Sequence, residues 1–372
     1  MDAGRSVAVS YYDLSKAFDK IDHNILLSRL QAYMFPPVLV NIIKSFLINR
    51  TQCVSVSGSV SPSVIVTSGV PQGSVLGPIL FIVYINDIFY QHFFGTLSGY
   101  VDDLKLLSLD GAELKYDTDK LLNWVDINKL SINVNKCSLL CFESKKPFDD
   151  KGFEFKIGMS PLPKVSVVKD LGIHIDSKFS FRIHVDTLRK RSYGLINLCF
   201  RIFSSKTTDL YILFYKTYVI PRIVYCSSLF GSSSVCNINQ IERIQRFFSK
   251  RLYSRLFPGC EMVPYLLRLG LFQLEPLECR LYKIDLLNMY RILNHDLFTP
   301  SINVSFSPRC PNRLCVSRVS CSVRKFFFLH RTIMLWNRYL AYSALTSLSQ
   351  LKSTLSGQTF ASCVKGSASK AL

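Results

Sequence analysis

The sequence predicts an α+β protein in which a sheet with flanking helices is followed by a mostly helical second half. In the first half, short apolar runs rich in β-branched and aromatic residues alternate with segments of helical periodicity. From Arg182 onward the strand patterns stop, and apolar residues recur at helical spacing over 188–203, 209–219, 238–256 and 274–293. These changes divide the chain into segments 1–150, 151–181, 182–296 and 297–372.

The chain begins with an apolar run over 6–12, typical of a buried strand, that ends at Asp13. Asp22 suits the cap of the helix that follows, because its side chain can accept hydrogen bonds from the first free backbone N–H groups. Pro36 and Pro37 end that helix and open the next, since proline is favoured at the first helical position. These signals predict helices over 23–34 and 38–48.

A glycine-rich loop lies between a hairpin and an apolar helix. Residues 51–66 alternate polar and apolar side chains around Gly58, which predicts the hairpin. Residues 68–78 form the loop, and the apolar run 79–89 continues as a helix. Such a loop can bring backbone close to a nucleotide, but it is not a Walker loop because no Gly-Lys-Ser/Thr follows. Further strands are predicted over 138–142, 152–159 and 164–176, with a helix over 113–128.

Asp102 and Asp103 lie at the tip of a predicted hairpin, after Tyr100-Val101. Two carboxylates this close repel each other unless a cation lies between them, and the tetrapeptide alone fits a solvated turn better. Asp13 supplies a third hard oxygen ligand if the strands are neighbours, and such a set suits Mg²⁺ with substrate phosphates. These residues indicate a metal-dependent nucleotidyl transferase or a nuclease, and they do not distinguish the two.

The formal charge of +19 predicts a polyanionic partner. Residues 182–255 contain 13 Lys or Arg and three acids, so more than half of the excess lies in one block. Contacts from such residues to phosphates give affinity with little sequence information. No apolar run reaches the roughly 20 residues of a membrane helix, and no signal-peptide pattern is seen. We expect no membrane partner and an intracellular protein, in the nucleus and/or the cytoplasm.

The 12 cysteines have no paired spacing, so we expect reduced thiols. A zinc site is a weaker alternative. The nearest set, whose spacing matches no common module, is Cys310, Cys315, Cys321 and His330.

Three motifs, in this order and spacing, resemble reverse transcriptase motifs A, B and C. They are Asp-Leu-Ser-Lys-Ala-Phe-Asp from Asp13, Ser-Gly-Val-Pro-Gln-Gly-Ser-Val-Leu-Gly-Pro from Ser68, and Tyr-Val-Asp-Asp from Tyr100. Their wording is similar to that of LINE-type, non-LTR retrotransposons of the jockey group. Asn135-Lys136 resembles motif D, and Lys169-Asp170-Leu171-Gly172 resembles the primer-grip motif E. The resemblance implies a right-hand polymerase palm, a helical thumb and a basic C-terminal region, acting as an RNA-directed DNA polymerase.

The resemblance also implies roles for individual residues. Asp13 and Asp102 would be the principal ligands of two Mg²⁺ ions, with Mn²⁺ as a possible substitute, and Asp103 would be a weaker ligand. Lys136 would face the triphosphate and donate a proton to pyrophosphate; a solvated surface lysine is the alternative. Phe18 would exclude a ribose 2′-hydroxyl, because a bulky ring leaves no room for the extra oxygen, or would serve as a core aromatic.

The resemblance assigns the remaining contacts to the nucleotide, the primer and the template. Gln72 and Gly73 would pack against the incoming dNTP and the template, and Leu171-Gly172 would position the DNA primer on an RNA template. The thumb would contact the nucleic-acid backbone through Arg189, Lys190, Arg191, Arg243, Arg246, Lys250 and Arg251.

The match begins at motif A, close to Met1, so we expect a truncated copy that lacks the fingers segments and the endonuclease domain of this family. Two other interpretations stay open. One is a catalytically inactive nucleic-acid-binding remnant. The other is an RNA-dependent RNA polymerase, which Phe18 and the loop sequence disfavour. The sequence does not indicate the oligomeric state.

Overall fold

The computed structural model describes residues 4–144, 148–149, 154–204, 207–231, 234–294, 304–319, 322–340 and 347–356. The chain divides after Val168 into two compact units. We call the first the sheet unit and the second, from Lys169 onward, the helical unit. The mixture of helices and strands confirms the predicted α+β class.

The strands of the sheet unit are β1 (Val7–Asp13), β2 (Thr51–Gln52), β3 (Ser55–Val56), β4 (Ser59–Val60), β5 (Val64–Ile65), β6 (Thr96–Tyr100), β7 (Asp103–Ser108), β8 (Ser138–Phe142), β9 (Lys156–Ile157), β10 (Ser160–Pro161) and β11 (Lys164–Val165). Its α-helices are α1 (His23–Ala32), α2 (Pro37–Leu47), α3 (Leu76–Ile85) and α4 (Gly111–Ile127). Short 3₁₀ helices are formed by Ala17–Asp19, Asn86–Tyr90 and Val134–Lys136.

Five of these strands form one sheet in the order β11-β8-β1-β7-β6, so β1 lies at its centre. Neighbours run antiparallel except β11 and β8, which are parallel. The apolar side chains of the central strands pack with those of the helices into one buried cluster that includes Tyr12, Leu104, Leu106, Phe81 and Trp124. Burial of this kind stabilises the fold by roughly 25 cal/mol per Å² of apolar surface. A one-residue slip of a strand would turn these side chains to the other face of the sheet, so their burial fixes the strand register.

The helical unit opens with a hairpin of β12 (Val167–Asp170) and β13 (Ile173–Asp176), whose first residues precede the division. Its helices are α5 (Arg182–Ile202), α6 (Thr208–Phe214), α7 (Ile220–Val224), α8 (Ser227–Phe230), α9 (Val235–Leu256), α10 (Tyr265–Leu271), α11 (Leu277–Asn294), α12 (Ser322–Phe326), α13 (Phe328–Tyr339) and α14 (Leu348–Ser356). A second hairpin consists of β14 (Phe306–Ser307) and β15 (Cys310–Leu314).

Aromatic side chains fill the core between α5, α9 and the segment after α6. The rings of Tyr215 and Phe248 are stacked with centroids 4.1 Å apart, and those of Phe200 and Tyr211 with centroids 4.8 Å apart. A separate apolar cluster joins α11, α13 and α14 around Trp336. The helical unit thus has two cores.

Most predicted elements are present, and one predicted helix is interrupted. The helix expected over 209–219 is α6 followed by a π-helical segment, Tyr215–Val219, and then α7. Pro221 lies in the first turn of α7 and lacks the backbone N–H that an unbroken α-helix would need there. The longer pattern over 274–293 corresponds to α11, which begins at Leu277.

The described cysteines are free thiols. Of the zinc candidates, Cys310 and Cys315 are exposed, and Cys321 lies outside the described residues. Within the described ranges, no helix is both long and apolar enough to span a bilayer.

Candidate active site

Asp13 and Asp103 lie directly opposite each other on neighbouring strands. In the antiparallel pair β1–β7 the Cα of Asp13 faces that of Asp103, and opposed residues project from the same face of a sheet. Asp103 also pairs with Tyr100 across β6–β7, so Val101 and Asp102 form a two-residue turn. The strand register therefore brings all three acidic residues to one end of the central sheet.

The turn contains a strained residue. Val101 has a φ of 57°, in the left-handed region that a β-branched side chain rarely adopts. Such strain costs about 1–3 kcal/mol and persists only where neighbouring structure fixes the backbone. Here the carbonyl of Asp102 accepts a hydrogen bond from the N–H of Leu14 at 3.2 Å. The turn is thereby attached to the end of β1.

Asp13 is held from both sides of the strand. The preceding Tyr12 is buried, its hydroxyl lies 2.7 Å from that of Thr118, and burial raises the pKa of Tyr12 to about 12. The carbonyl of Asp13 accepts a hydrogen bond from the N–H of Asn133 at 2.8 Å. Because side chains alternate along a strand, the carboxyl group of Asp13 projects away from the core that contains Tyr12.

A cation already lies against Asp13. The Nζ of Lys136 is 3.1 Å from Asp13 Oδ1. Within the part of the chain that the structure describes, no three His, Cys, Asp or Glu side chains gather closely enough to hold a metal as they stand. Asp13, Asp102 and Asp103 nevertheless supply the hard oxygen donors that Mg²⁺ prefers, and Asp13 attracts a positive charge. The donor set fits a divalent cation in chemistry and in backbone position.

The glycine-rich loop packs directly on the 3₁₀ segment that follows β1. The N–H of Gly69 donates to the carbonyl of Ile21 at 2.8 Å, and the N–H of Val70 donates to that of Phe18 at 2.9 Å. A Cβ at position 69 would lie 2.8 Å from both the Cα and the carbonyl oxygen of Asp19, and φ of Gly69 is 82°. Only glycine permits this approach.

Phe18 and Gln72 both form hydrogen bonds across this contact. The Phe18 ring is half-buried, with its centroid 4.9 Å from that of Phe81. The amide of Gln72 is exposed and donates to Asp19 Oδ1 at 2.8 Å. Gly73 is exposed, has a φ of 78°, and leaves open space where a Cβ would be. The structure thus joins the segment that begins at Asp13 to the glycine-rich loop.

This arrangement agrees with a comparison of the sequence with known families. The family described as "Reverse transcriptase (RNA-dependent DNA polymerase)" matches residues 2–175. Residues 2–175 belong to the reverse transcriptase family.

Relatives of this reverse transcriptase domain occur in mobile elements. The chain is 26% identical over 264 residues to "Probable RNA-directed DNA polymerase from transposon X-element" of Drosophila melanogaster, covering 68% of this chain and 28% of that protein. It is 28% identical over 252 residues to "RNA-directed DNA polymerase from mobile element jockey" of Drosophila funebris, covering 63% of this chain and 27% of that protein. The chain therefore spans little more than a quarter of the length of these curated relatives.

A solved structure of apo telomerase from Candida tropicalis overlaps 79% of this chain and 52% of its own, at 11% identity. The TM-score is 0.38, which is too low to support a conclusion.

Two residues that sequence reasoning missed hold the loop of the reverse transcriptase domain. The carbonyl of Gly69 lies 2.9 Å from His23 Nε2 and accepts a hydrogen bond from Arg50 Nη2 at 2.8 Å. These contacts span 46 and 19 residues of sequence. In the sequence, His23 only begins a helix and Arg50 only ends one, so no local pattern indicates either contact.

Leu171 and Gly172 form the turn of the β12–β13 hairpin. Their φ values of 43° and 88° are both positive, as in the tight turn that suits twisted strands. The carbonyl of Leu171 accepts a hydrogen bond from the Tyr225 hydroxyl at 3.0 Å. The turn is therefore fixed within the helical unit.

The seven predicted backbone-contacting cations lie on α5 and α9, and at least four of them have partners within the protein. One of these, Arg246, lies over the Tyr265 ring at 4.3 Å. Arg189 is 2.7 Å from Asp186, and the carboxyl group of Asp186 has a lowered pKa because Arg189 and then Lys190 donate to it. The guanidinium of Arg251 lies over the rings of Phe200 and Phe247, at 5.1 and 5.7 Å. The exposed members are Lys190, Arg191, Arg243, Arg246 and Lys250.

Proposed function

We propose that this chain is the polymerase part of a non-LTR retrotransposon reverse transcriptase, which adds dNTPs to a DNA primer on an RNA template. The observation that carries the proposal is the pairing of Asp13 with Asp103 across β1–β7, with Asp102 in the adjoining turn. The family match to residues 2–175 supports the reaction class.

Asp13, Asp102 and Asp103 would hold the metal, with Asp13 and Asp102 as principal ligands. Two Mg²⁺ ions, or Mn²⁺, would activate the primer hydroxyl and stabilise the leaving pyrophosphate. The chain itself sets the geometry: the β1–β7 register fixes Asp13 against Asp103, and the bond from Leu14 fixes the turn. A pre-set donor arrangement removes part of the entropic cost of reaching the in-line geometry.

Phe18, Gln72 and Gly73 would form the nucleotide site. The ring of Phe18 is backed by Phe81, so it cannot withdraw to admit a ribose 2′-hydroxyl without disturbing the core. The exposed backbone at Gly73 lets a nucleotide approach closely. Lys136 would bind the triphosphate and donate a proton to the leaving pyrophosphate.

The helical unit would bind the nucleic acid. Leu171-Gly172 would position the primer, and the exposed cations of α5 and α9 would contact phosphates without reading sequence. A protein that uses RNA templates and a DNA primer would act in the cytoplasm and/or the nucleus.

Primer extension on an RNA template with Mg²⁺ tests the proposal. The wild-type chain should add dNTPs, and Asp102→Asn should reduce the rate at least about a thousand-fold, because losing a metal ligand removes several kcal/mol of transition-state stabilisation. Asp22→Asn makes the same charge change at a helix cap, where Asn caps equally well, so it should retain activity. Extension that survives Asp102→Asn would contradict the assignment.

Two further outcomes separate the alternatives. Salt-sensitive binding of nucleic acid without extension in Mg²⁺ or Mn²⁺ would support a non-catalytic binding protein. The exposed cations of α5 and α9 would contact phosphates in that case too. Efficient use of NTPs would support an RNA polymerase. If Phe18 is the sugar gate, Phe18→Val should raise NTP use relative to dNTP use.

A further inference from the structure

A short and well-anchored connection delivers Lys136 to Asp13. The N–H of Asn133 donates to the carbonyl of Asp13 at 2.8 Å, and the N–H of Lys136 donates to the carbonyl of Asn133 at 3.0 Å. The next residue, Cys137, is buried and its Sγ lies 3.3 Å from the same carbonyl. The backbone of this turn is therefore fixed to the end of β1, within reach of Asp13 for the Lys136 side chain.

The two members of this ion pair differ in exposure. The side chain of Asp13 is 17% exposed and that of Lys136 is 64% exposed. The ammonium can therefore move into solvent on its flexible stem, whereas the carboxylate stays at the end of the sheet. An exposed pair of this type changes an equilibrium constant by up to about five-fold, so a competing ligand can displace it.

The surroundings of Asp13 give a second reason for a cation to lie beside it. Asp103 lies opposite Asp13 on β7, so two acidic residues face each other at this position. Like charges so placed raise the cost of leaving the site without a positive charge. Lys136 supplies that charge in the structure.

We propose that Lys136 is an internal counter-ion that competes with the divalent cation for Asp13. The triphosphate of an incoming nucleotide binds the same ammonium and thereby frees the carboxylate. The identity of the anion rests on the proposed function. Metal and triphosphate then bind with positive coupling, and the coupling is reciprocal: each ligand raises the affinity for the other by the same factor.

The pair Lys129–Asp22 is a matched control. Its atoms are 2.6 Å apart and its side chains are 64% and 18% exposed, almost the same values as for Lys136 and Asp13. Asp22 differs because it caps α1, accepting hydrogen bonds from the N–H groups of Asn24 and Ile25. Its carboxylate is committed to the backbone, so removing Lys129 should not create a metal site.

Binding of Mn²⁺ to the full chain, measured from the free-ion EPR signal without nucleotide, tests the competition. Lys136→Met should raise the Mn²⁺ affinity about five-fold, the full effect of an exposed pair, whereas Lys129→Met should leave it unchanged. In an Asp13→Asn background, Lys136→Met should have no effect, because the carboxylate for which the ions compete is absent.

Binding of dTTP in EDTA, measured by equilibrium dialysis, tests whether the triphosphate competes with Asp13 for Lys136. Asp13→Asn releases Lys136 and should tighten metal-free dTTP binding by a similar factor of about five, whereas Asp22→Asn should not. This measurement needs neither metal nor catalysis.

The outcomes distinguish this inference from the proposed function. Equal Mn²⁺ affinities in Lys136→Met and wild type, alongside Asp13-dependent primer extension, would overturn the counter-ion role and leave the polymerase assignment intact. The predicted Mn²⁺ and dTTP changes without any primer extension would uphold the counter-ion role and contradict the polymerase assignment. Equal gains in Lys136→Met and Lys129→Met, or no Asp13-dependent Mn²⁺ binding, would also overturn the inference.

Discussion

The sheet unit and the helical unit position their charged residues by different means. In the sheet unit, Asp13 and Asp103 meet because two distant strands pair in one register. In the helical unit, Arg243, Arg246 and Lys250 recur at helical spacing along one exposed face of α9. Long-range pairing can define a point, which suits metal chemistry. A helical surface defines a stripe of charge, which suits a nucleic-acid backbone.

Two buried acidic residues, one in each unit, are held in different ways. In the sheet unit, Asp117 is fully buried and its oxygens accept backbone hydrogen bonds from Phe94 and Gly95 at 3.0 and 2.7 Å. In the helical unit, Asp285 is paired with the guanidinium of Arg331, both buried, at 3.0 Å. A substitution of Arg331 leaves Asp285 buried without the charge that balances it, so this pair should be a sensitive point of the helical unit.

The largest expected effect on stability is at this buried pair. Arg331→Met leaves Asp285 buried without its partner, and removes hydrogen bonds from the guanidinium to the carbonyls of Phe326 and Ser228. We expect a loss of about 3–5 kcal/mol in the free energy of unfolding, measured by urea denaturation. Arg189→Met breaks a more exposed pair with Asp186 and should cost at most about 1 kcal/mol. Equal costs would contradict the distinction.

The next effect is a pH dependence in the helical unit. Burial, and then His174 and Arg191, lower the pKa of His184 from 6.5 to about 4. Since the unfolded chain takes up a proton at His184 before the folded chain does, this contribution to stability is fully present above pH 6.5. It is lost as the pH falls toward 4.

Urea unfolding of wild type and His184→Gln at pH 7 and pH 4.5 measures this contribution. Wild type should lose more stability than the variant over that interval. Glu242, whose pKa burial raises, has the opposite pH dependence, but it is present in both proteins and cancels in the difference. If the difference in unfolding free energy between wild type and His184→Gln is the same at both pH values, His184 is not the source of the pH dependence.

A pair of glycines in the sheet unit gives a smaller contrast. Gly69→Ala and Gly73→Ala both place a side chain at positive φ, but only at Gly69 would the Cβ meet backbone, that of Asp19. We expect Gly69→Ala to cost about 2 kcal/mol more than Gly73→Ala in thermal unfolding. Similar costs would show that φ alone, and not the close approach, demands glycine in this loop.

The smallest effects separate two neighbouring cations on α9. Lys250 is exposed, so Lys250→Met should lower the salt dependence of nucleic-acid binding by about one unit of log–log slope, with stability unchanged. Arg251 packs on Phe200 and Phe247, so Arg251→Met should cost about 1 kcal/mol of stability. Fluorescence anisotropy of a labelled RNA–DNA duplex measures the salt dependence of binding, and urea unfolding measures the stability. The reverse pattern would contradict these roles.

The strands, the hairpin at Tyr100 to Asp103 and most helices could be predicted from sequence, because periodicity and cap residues such as Asp22 act locally. The pairing of Asp13 with Asp103 could be predicted only on the assumption that their strands are neighbours, which the sequence does not show. The bonds from His23 and Arg50 to Gly69 could not be predicted, because they depend on the packing of separate segments. The same holds for the ion pair of Lys136.

The proposed metal site consists of Asp13, Asp102 and Asp103, which strand register brings to one end of the central sheet. Replacing Mg²⁺ with Fe²⁺ in ascorbate and peroxide generates radicals that cut the backbone beside a bound ion, and mass spectrometry locates the cuts. Cuts close to Asp13 and to Asp102-Asp103, lost in Asp13→Asn and retained in Asp22→Asn, are the predicted result. Cuts confined to other segments, or cuts that Asp13→Asn leaves unchanged, would contradict the claim.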